Sequence, residues 1–239
     1  MSRLSSWRAR EARAGLLLVA PGLLVLSLFL FLPVVASFLL SLTDYDLYAV
    51  GDPSAARVVA LRNYARLLHD PVFWKALGNT FFFVIVGGPL TVALSLGAAL
   101  LLNHRLVRFA GLFRTIYFAP VVTTLVAVAA VWKYLYHPRF GLLNAALGLL
   151  GIGSVDWLGD PRWAMPAIVL MAAWKNFGAN MIIFVAGLKA IPESLHEAAR
   201  IDGAGPLQRF RRITVPLLAP TFLFVGLTTT IGYFQLFAE

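Results

Sequence analysis

Five long apolar runs, separated by short polar segments, set the rhythm of this chain. Residues 14–45 carry no charge apart from Asp44, and residues 76–103, 115–132 and 213–238 carry none. The run 163–188 is apolar except for Lys175. Each run reaches or approaches the roughly 20 residues that a helix needs to cross a hydrocarbon core of about 30 Å. The pattern therefore predicts five transmembrane helices, over about 14–42, 76–102, 115–132, 163–188 and 213–237. Arg3, Arg8, Arg10 and Arg13 precede the first run as they would a signal peptide. Its apolar stretch is about twice the usual 7 to 15 residue core, so it reads as a retained helix. Between the spans, Val59–Leu68 and Phe140–Leu150 mix Leu with Tyr, Arg or Asn, as short interfacial helices do, and Asp52-Pro53 and Asp160-Pro161 mark turns. With no internal repeat, low-complexity tract or soluble segment, the expected fold is all-α, a polytopic membrane helical bundle forming one domain over 1–239.

Composition strengthens this picture and narrows the chemistry. A hydrophobic fraction of 60% exceeds the roughly half typical of soluble domains, and mean hydropathy is +0.81. There is no cysteine, which removes disulfides, thiol nucleophiles and Cys-based metal sites. The net charge of +9 could suggest nucleic acid, but the basic residues sit in short loops beside apolar spans, where they act as an orientation signal; no nucleic-acid partner is expected. Counting Lys and Arg in alternate loops puts twelve on one side (four in the N-terminal tail, three in 103–114, five in 189–212) and seven on the other. The N-terminus and the loop 189–212 should therefore be cytoplasmic.

The loop 189–212 has its own structure signals. Pro192 suits a first helical position, and Glu193 suits the positive end of the helix dipole. Leu195, Ala198 and Ala199 fall at i, i+3 and i+4, forming a narrow apolar stripe of mostly small residues that permits close docking. Gly203 can take the left-handed conformation that ends a helix, and Gly205-Pro206 starts a second segment whose Arg209, Arg211 and Arg212 lie near the inner membrane surface. Read from the residues alone, this is either a docking element or an amphipathic, positive-inside loop without a partner.

The spacing in that loop carries a resemblance. Glu197-Ala198-Ala199, three residues, Gly203, nine residues and Ile213-Thr214-Val215-Pro216 resemble the EAA loop of permease subunits in bacterial ABC importers, with Val215 where that pattern has Leu. The resemblance extends over roughly 15–237 and is to the sugar-uptake branch, the maltose and glycerol-3-phosphate type. It rests on Asn63-Tyr64, Asp70, Phe73–Leu77 and Asn79-Thr80, similar to the lead-in to that branch's second helix. Phe113-Arg114, Pro120, Trp132, Gly141 and Asn144 carry it around the third. Trp157–Asp160, Trp174-Lys175, Gly178, Ala186–Leu188 and Ile191-Pro192 carry it on the approach to the loop. The resemblance implies a type I importer permease in the inner membrane, not itself an enzyme, that moves a carbohydrate or polyol into the cytoplasm by alternating access. It implies a second permease, two ATPase subunits that hold the ATP and Mg, and an extracytoplasmic solute-binding protein, with no cofactor on this chain. Glu197, Ala198, Ala199, Asp202 and Gly203 would be the ATPase-coupling residues, with Glu197 a charge for partner choice and Gly203 setting the angle to the next segment. That fold has a six-helix core, whereas the fifth span here is followed at once by Glu239. The expectation is a chain truncated before its sixth helix, with its C-terminus outside; a non-transporting remnant is the alternative reading.

Polar residues inside the spans are candidate solute contacts. Lys175 lies about 12 residues from either end of its run, ~18 Å from each interface and too deep to snorkel. It costs roughly 2.5 to 3.5 kcal/mol at the bilayer centre. Such residues face a bundle interior or a wet cavity, or bond backbone carbonyls near a kink, here at Pro166. Asn176 and Asn180, four apart, share a face and offer amides to sugar hydroxyls, though Asn is also ordinary interhelical glue. Trp174 could stack on a sugar ring or simply pack. Tyr233 and Gln235, with Thr228 and Thr229, add polar groups in the last span. A membrane-embedded enzyme would need convergent titratable groups, and the spans offer only Lys175. His69, His104, His137 and His196 are scattered in loops and do not read as a metal set.

Overall fold

The computed structural model describes residues 2–45, 57–104 and 107–235. Among them there is no strand, only an isolated bridge between Thr43 and Val58, and the all-α expectation holds. The chain falls into two compact units, residues 1–74 and 75–239. The sequence shows no composition shift at that boundary.

The first unit begins with α1 (Ser2–Leu26), a wide π turn (Ser27–Phe31) and α2 (Leu32–Ser41). The continuous helix Arg10–Ser41 has no buried residue in its apolar window and a mean hydropathy of 2.8. Such a surface suits lipid or another subunit. After α2 the chain turns back to α3 (Arg62–Leu68). Asn63 fixes this turn by donating its amide to the carbonyls of Ser41 (3.0 Å) and Thr43 (2.7 Å), and the Tyr64 hydroxyl meets Ser41 Oγ at 2.6 Å. Helix-end carbonyls have no intrahelical donors, so Asn63 satisfies groups that burial in lipid would otherwise penalise.

The second unit takes in most of α4 (Pro71–Phe82), then a π turn (Phe83–Gly87), α5 (Gly88–Leu102), α6 (Ala110–Val122), α7 (Leu125–Leu135) and α8 (Leu142–Leu149). It continues with α9 (Pro161–Ala190), α10 (Glu193–Ile201), α11 (Pro206–Arg209), a π turn (Phe210–Thr214), α12 (Val215–Leu217) and α13 (Ala219–Phe234). Each π turn described ends two residues before a proline: Pro33, Pro89 and Pro216. Proline offers no N–H, and its ring collides with the carbonyl four residues back. The turn before each proline is widened: the residues ahead of Pro33 and Pro216 bond five residues back, Leu32 N–H to the Ser27 carbonyl and Val215 N–H to the Phe210 carbonyl.

By length and composition, three helices among the described residues can cross a membrane: Arg10–Ser41, Pro71–Leu102 and Pro161–Ala190. Two bent pairs bring the number to five if each is one span. The run 115–132 is not straight: α6 and α7 meet at 102°, because Thr123 and Thr124 are extended behind Pro120. The last run bends by 66° between Pro206–Leu217 and Ala219–Phe234, at Leu218, beside a proline on either side.

Helix α9 is the hub of this unit. Asp160 caps its start by accepting from Arg162 N–H, and Pro161 occupies its first position. Its residues enter all three buried clusters: Met181, Phe184 and Leu188 with Ala99 and Val225; Val169 and Ala172 with Phe83 and Tyr233; Ala167 and Met171 with Val128, Trp132 and Tyr136. Lipid tails are as apolar as these side chains, so close van der Waals contact, rather than burial as such, holds the helices together. Two glycines permit it. A Cβ on Gly178 would collide with the Tyr117 carbonyl of α6, and one on Gly187 would stand 2.7 Å from Thr221 Oγ1 of α13.

Candidate functional site

Helices α9 and α13 flank an open cleft of about 260 Å³ lined by Asn176, Ala179, Asn180, Thr228, Thr229, Gly232 and Tyr233. On α9, Asn176 donates one amide hydrogen to the Ala172 carbonyl (2.9 Å), while its amide oxygen accepts from no described residue. Asn180 Nδ2 donates to Thr229 Oγ1 across the cleft at 2.9 Å. The Thr228 hydroxyl turns back onto the carbonyls of Phe224 (2.8 Å) and Val225 (3.2 Å), which satisfies it within α13. The cleft thus pairs amide and hydroxyl groups with apolar walls, an arrangement suited to a neutral, hydroxyl-rich solute.

Tyr233 is held from behind. Its hydroxyl meets Thr91 Oγ1 at 2.6 Å, and Thr91 in turn donates to the Gly87 carbonyl (2.8 Å). The Phe83 ring lies 4.9 Å away, and Gly87 leaves the ring its place, since a Cβ there would stand 3.0 Å from Tyr233 Cε2. The π turn ahead of Pro89 therefore positions a wall of the cleft. Sequence reasoning missed Thr91. The available signal was Thr91 and Ser95, polar residues four apart in an apolar span; both are fully buried, and Ser95 Oγ donates to the Phe177 carbonyl of α9 at 3.0 Å.

The structure brings Asn176, Asn180 and Tyr233 together and separates the other candidates from them. Trp174 lies about 160° around α9 from Asn176 at 100° per residue. It packs edge-on to Trp132 at 5.5 Å in an apolar groove that Tyr117 and Phe177 also line. Lys175 is half-buried between the two faces and does not line the cleft. Gln235 caps the end of α13 and is exposed. Among the described residues no three His, Asp or Glu stand close enough to hold a metal.

At the far end of α9 the loop folds as a compact helical turn. Pro192 stands one position ahead of α10 with extended ψ of 129°, so Glu193, not Pro192, opens the helix. The proline ring fixes φ near −61° either way. Glu193 pairs with Arg200 at 2.8 Å, on the surface. Gly203 has φ +78°; its N–H donates to Arg200 and that of Ala204 to Ala199 (2.8 Å), the paired bonds that close a helix on a left-handed residue. Glu197, Ala198 and Asp202 are exposed and Ala199 is half-buried. Ile201 is 87% exposed and Leu207 68%. The apolar stripe of Leu195 and the alanines thus has an exposed extension at Ile201, which the sequence pattern left out.

The chain matches the model of the family described as "Binding-protein-dependent transport system inner membrane component" over residues 15–238. It is 39% identical over 227 residues to the lactose transport system permease protein LacF of Rhizobium radiobacter, covering 94% of this chain and 74% of that protein. It is 37% identical over 233 residues to the trehalose/maltose transport system permease protein MalF of Thermococcus litoralis, covering 98% and 77%. In fold it is similar to a chain of a bacterial ABC transporter involved in the import of the acidic polysaccharide alginate, with a TM-score of 0.72, 24% identity and coverage of 97% and 76%. The sequence resemblance and the helical architecture agree: this chain belongs to the family of inner-membrane permease components of binding-protein-dependent ABC transport systems.

Proposed function

We propose that this chain is the membrane subunit through which an ABC importer passes a carbohydrate or related polyol into the cytoplasm. The observation that carries the reading is the continuity of α9, one unbroken helix that bears Asn176 and Asn180 in the cleft and ends at the loop of α10. From Asn180 to the end of α9 is ten residues, about 15 Å. A displacement of α10 therefore reaches the cleft through a stiff element, while the opposite wall, α13, joins the loop through the bend at Leu218. A rigid wall facing a hinged one can open alternately to either side.

In this reading the exposed surface of α10, with Glu197, Ala198, Ala199, Asp202 and Gly203, docks on a separate ATPase that holds ATP and Mg. A second permease, a second ATPase copy and an extracytoplasmic solute-binding protein complete the machine, and the N-terminus lies in the cytoplasm. Asn176, Asn180 and Tyr233 meet the solute. The names of similar proteins support the substrate class, being lactose, trehalose/maltose and arabinooligosaccharide permeases.

The test is reconstitution of the chain with its cognate permease, ATPase and binding protein in liposomes. ATP hydrolysis stimulated by the loaded binding protein is expected to fall at least about tenfold in Glu197→Lys and Gly203→Asp, with assembly of the membrane subunits retained. Unchanged stimulation in both variants would overturn the coupling assignment.

A further inference from the structure

The connection from α7 to α9 is amphipathic in the reverse sense to a loop in water. In α8 the polar residue Asn144 faces inward with Leu143, 8% exposed and hydrogen-bonded on both ends of its amide, while the leucines at either end of the helix face outward. Leu142 is 69% exposed, Leu149 89% and Leu150 76%. This surface continues onto the end of α7 through Phe140 and Tyr134, both exposed, whose rings lie 6.4 Å apart. Lys133 and Arg139, each next in sequence to one of those aromatic residues, are exposed, and residues 133–155 contain no Asp or Glu.

We infer that residues 133–152 form a membrane anchor, lying in the headgroup boundary at the end of α9 opposite α10 and binding anionic phospholipid. Three observations select lipid as the occupant. The apolar face continues along the exposed side of α7, the second half of the bent apolar pair, where Val126 and Val131 are exposed as well, so a bilayer covering those valines would reach it without a gap. Tyr beside Lys and Arg is the composition of the boundary layer, where rings sit at headgroup depth and cations meet phosphate. The cores of protein interfaces, by contrast, are depleted in Lys. The hydrogen bonds around Asn144 keep the segment folded, so the leucines are presented as a fixed surface. An anchor here would hold the start of α9 at constant depth while its other end moves with α10.

The absence of cysteine allows a single reporter. Leu149→Cys, labelled with an environment-sensitive fluorophore in the assembled transporter, would be placed in nanodiscs of phosphatidylcholine with or without phosphatidylglycerol. Lipids brominated in the acyl chain are expected to quench it several-fold more than aqueous iodide. Quenching by brominated phosphatidylglycerol should exceed that by brominated phosphatidylcholine, and the preference should fall by about fivefold for each of Lys133→Gln and Arg139→Gln. Efficient iodide quenching, insensitivity to both quenchers, or protection that arrives only with the binding protein would overturn the inference, the last by making a protein the occupant. These readouts do not depend on which solute is carried.

Discussion

Two asparagine sites, Asn144 in the connection from α7 to α9 and Asn176 in the cleft, use the same side chain in opposite ways. The Asn144 amide is filled: its two N–H groups serve the carbonyls of Pro138 and Val155 and the Ser154 hydroxyl, and its oxygen accepts from Val155 N–H (3.2 Å) and Trp157 Nε1 (3.0 Å). Asn176 makes one bond, to its own helix, and turns the rest of its capacity toward a cavity. A saturated buried amide is structural, since every partner would be orphaned by its loss; an amide with spare capacity beside a cleft is poised for a ligand. The difference lies in hydrogen-bond accounting, not in residue type.

The largest effect should come from the packing that shapes the cleft. Gly178→Leu would drive α6 and α9 apart at the Tyr117 carbonyl, and we expect the protein to fail to accumulate in the membrane, as immunoblotting would show. Asn144→Ala should lower stability by roughly 3 kcal/mol, because several partly buried donors and acceptors lose their partner; a fall in thermal stability in detergent, with transport per folded molecule unchanged, would sharpen the contrast. Asn176→Ala should do the reverse, with thermal stability within about 0.5 kcal/mol and solute uptake reduced several-fold. Thr91→Val should sit between the two, costing about 1 kcal/mol and raising the KM for uptake as Tyr233 loses its anchor. The smallest effect should be at Asp160. Its carboxyl is held below the usual carboxylate range, chiefly by the hydrogen bond from the Arg162 side chain. A depressed pKa means that this support is present at neutral pH and lost only as pH falls through the lowered value. Asp160→Asn should therefore leave stability nearly unchanged, and the residual difference should vanish in acid.

How much of this was legible in the sequence depended on range. Span positions follow from length and hydropathy, which are local quantities. The π turns left a local mark as well, a proline two residues past each one, at Pro33, Pro89 and Pro216. Asn176 with Asn180 was found because a four-residue spacing defines a helix face, whereas Lys175 was singled out by its charge at mid-span and Trp174 by a ring that could stack on a sugar, criteria that ignore the 100° between adjacent residues. Asn63, Asn144 and Gly178 were visible only as family signatures. Their physical roles, two hydrogen-bonding hubs and a helix crossing, depend on contacts with residues distant in sequence or on another element. The break at Thr123-Thr124 left no hydropathy signal, since both sides are equally apolar.

Thiol accessibility at neighbouring positions on α9 tests the central claim most directly. In the cysteine-free chain, Asn176→Cys and Trp174→Cys would each be exposed to a small, charged, membrane-impermeant thiol reagent in the reconstituted transporter, with and without solute and ATP. The account predicts that Cys at 176 reacts from water in one nucleotide state and is protected by solute, while Cys at 174 is inert in both. Equal reactivity at the two positions, or labelling at 176 that neither nucleotide nor solute changes, would contradict a solute path between α9 and α13.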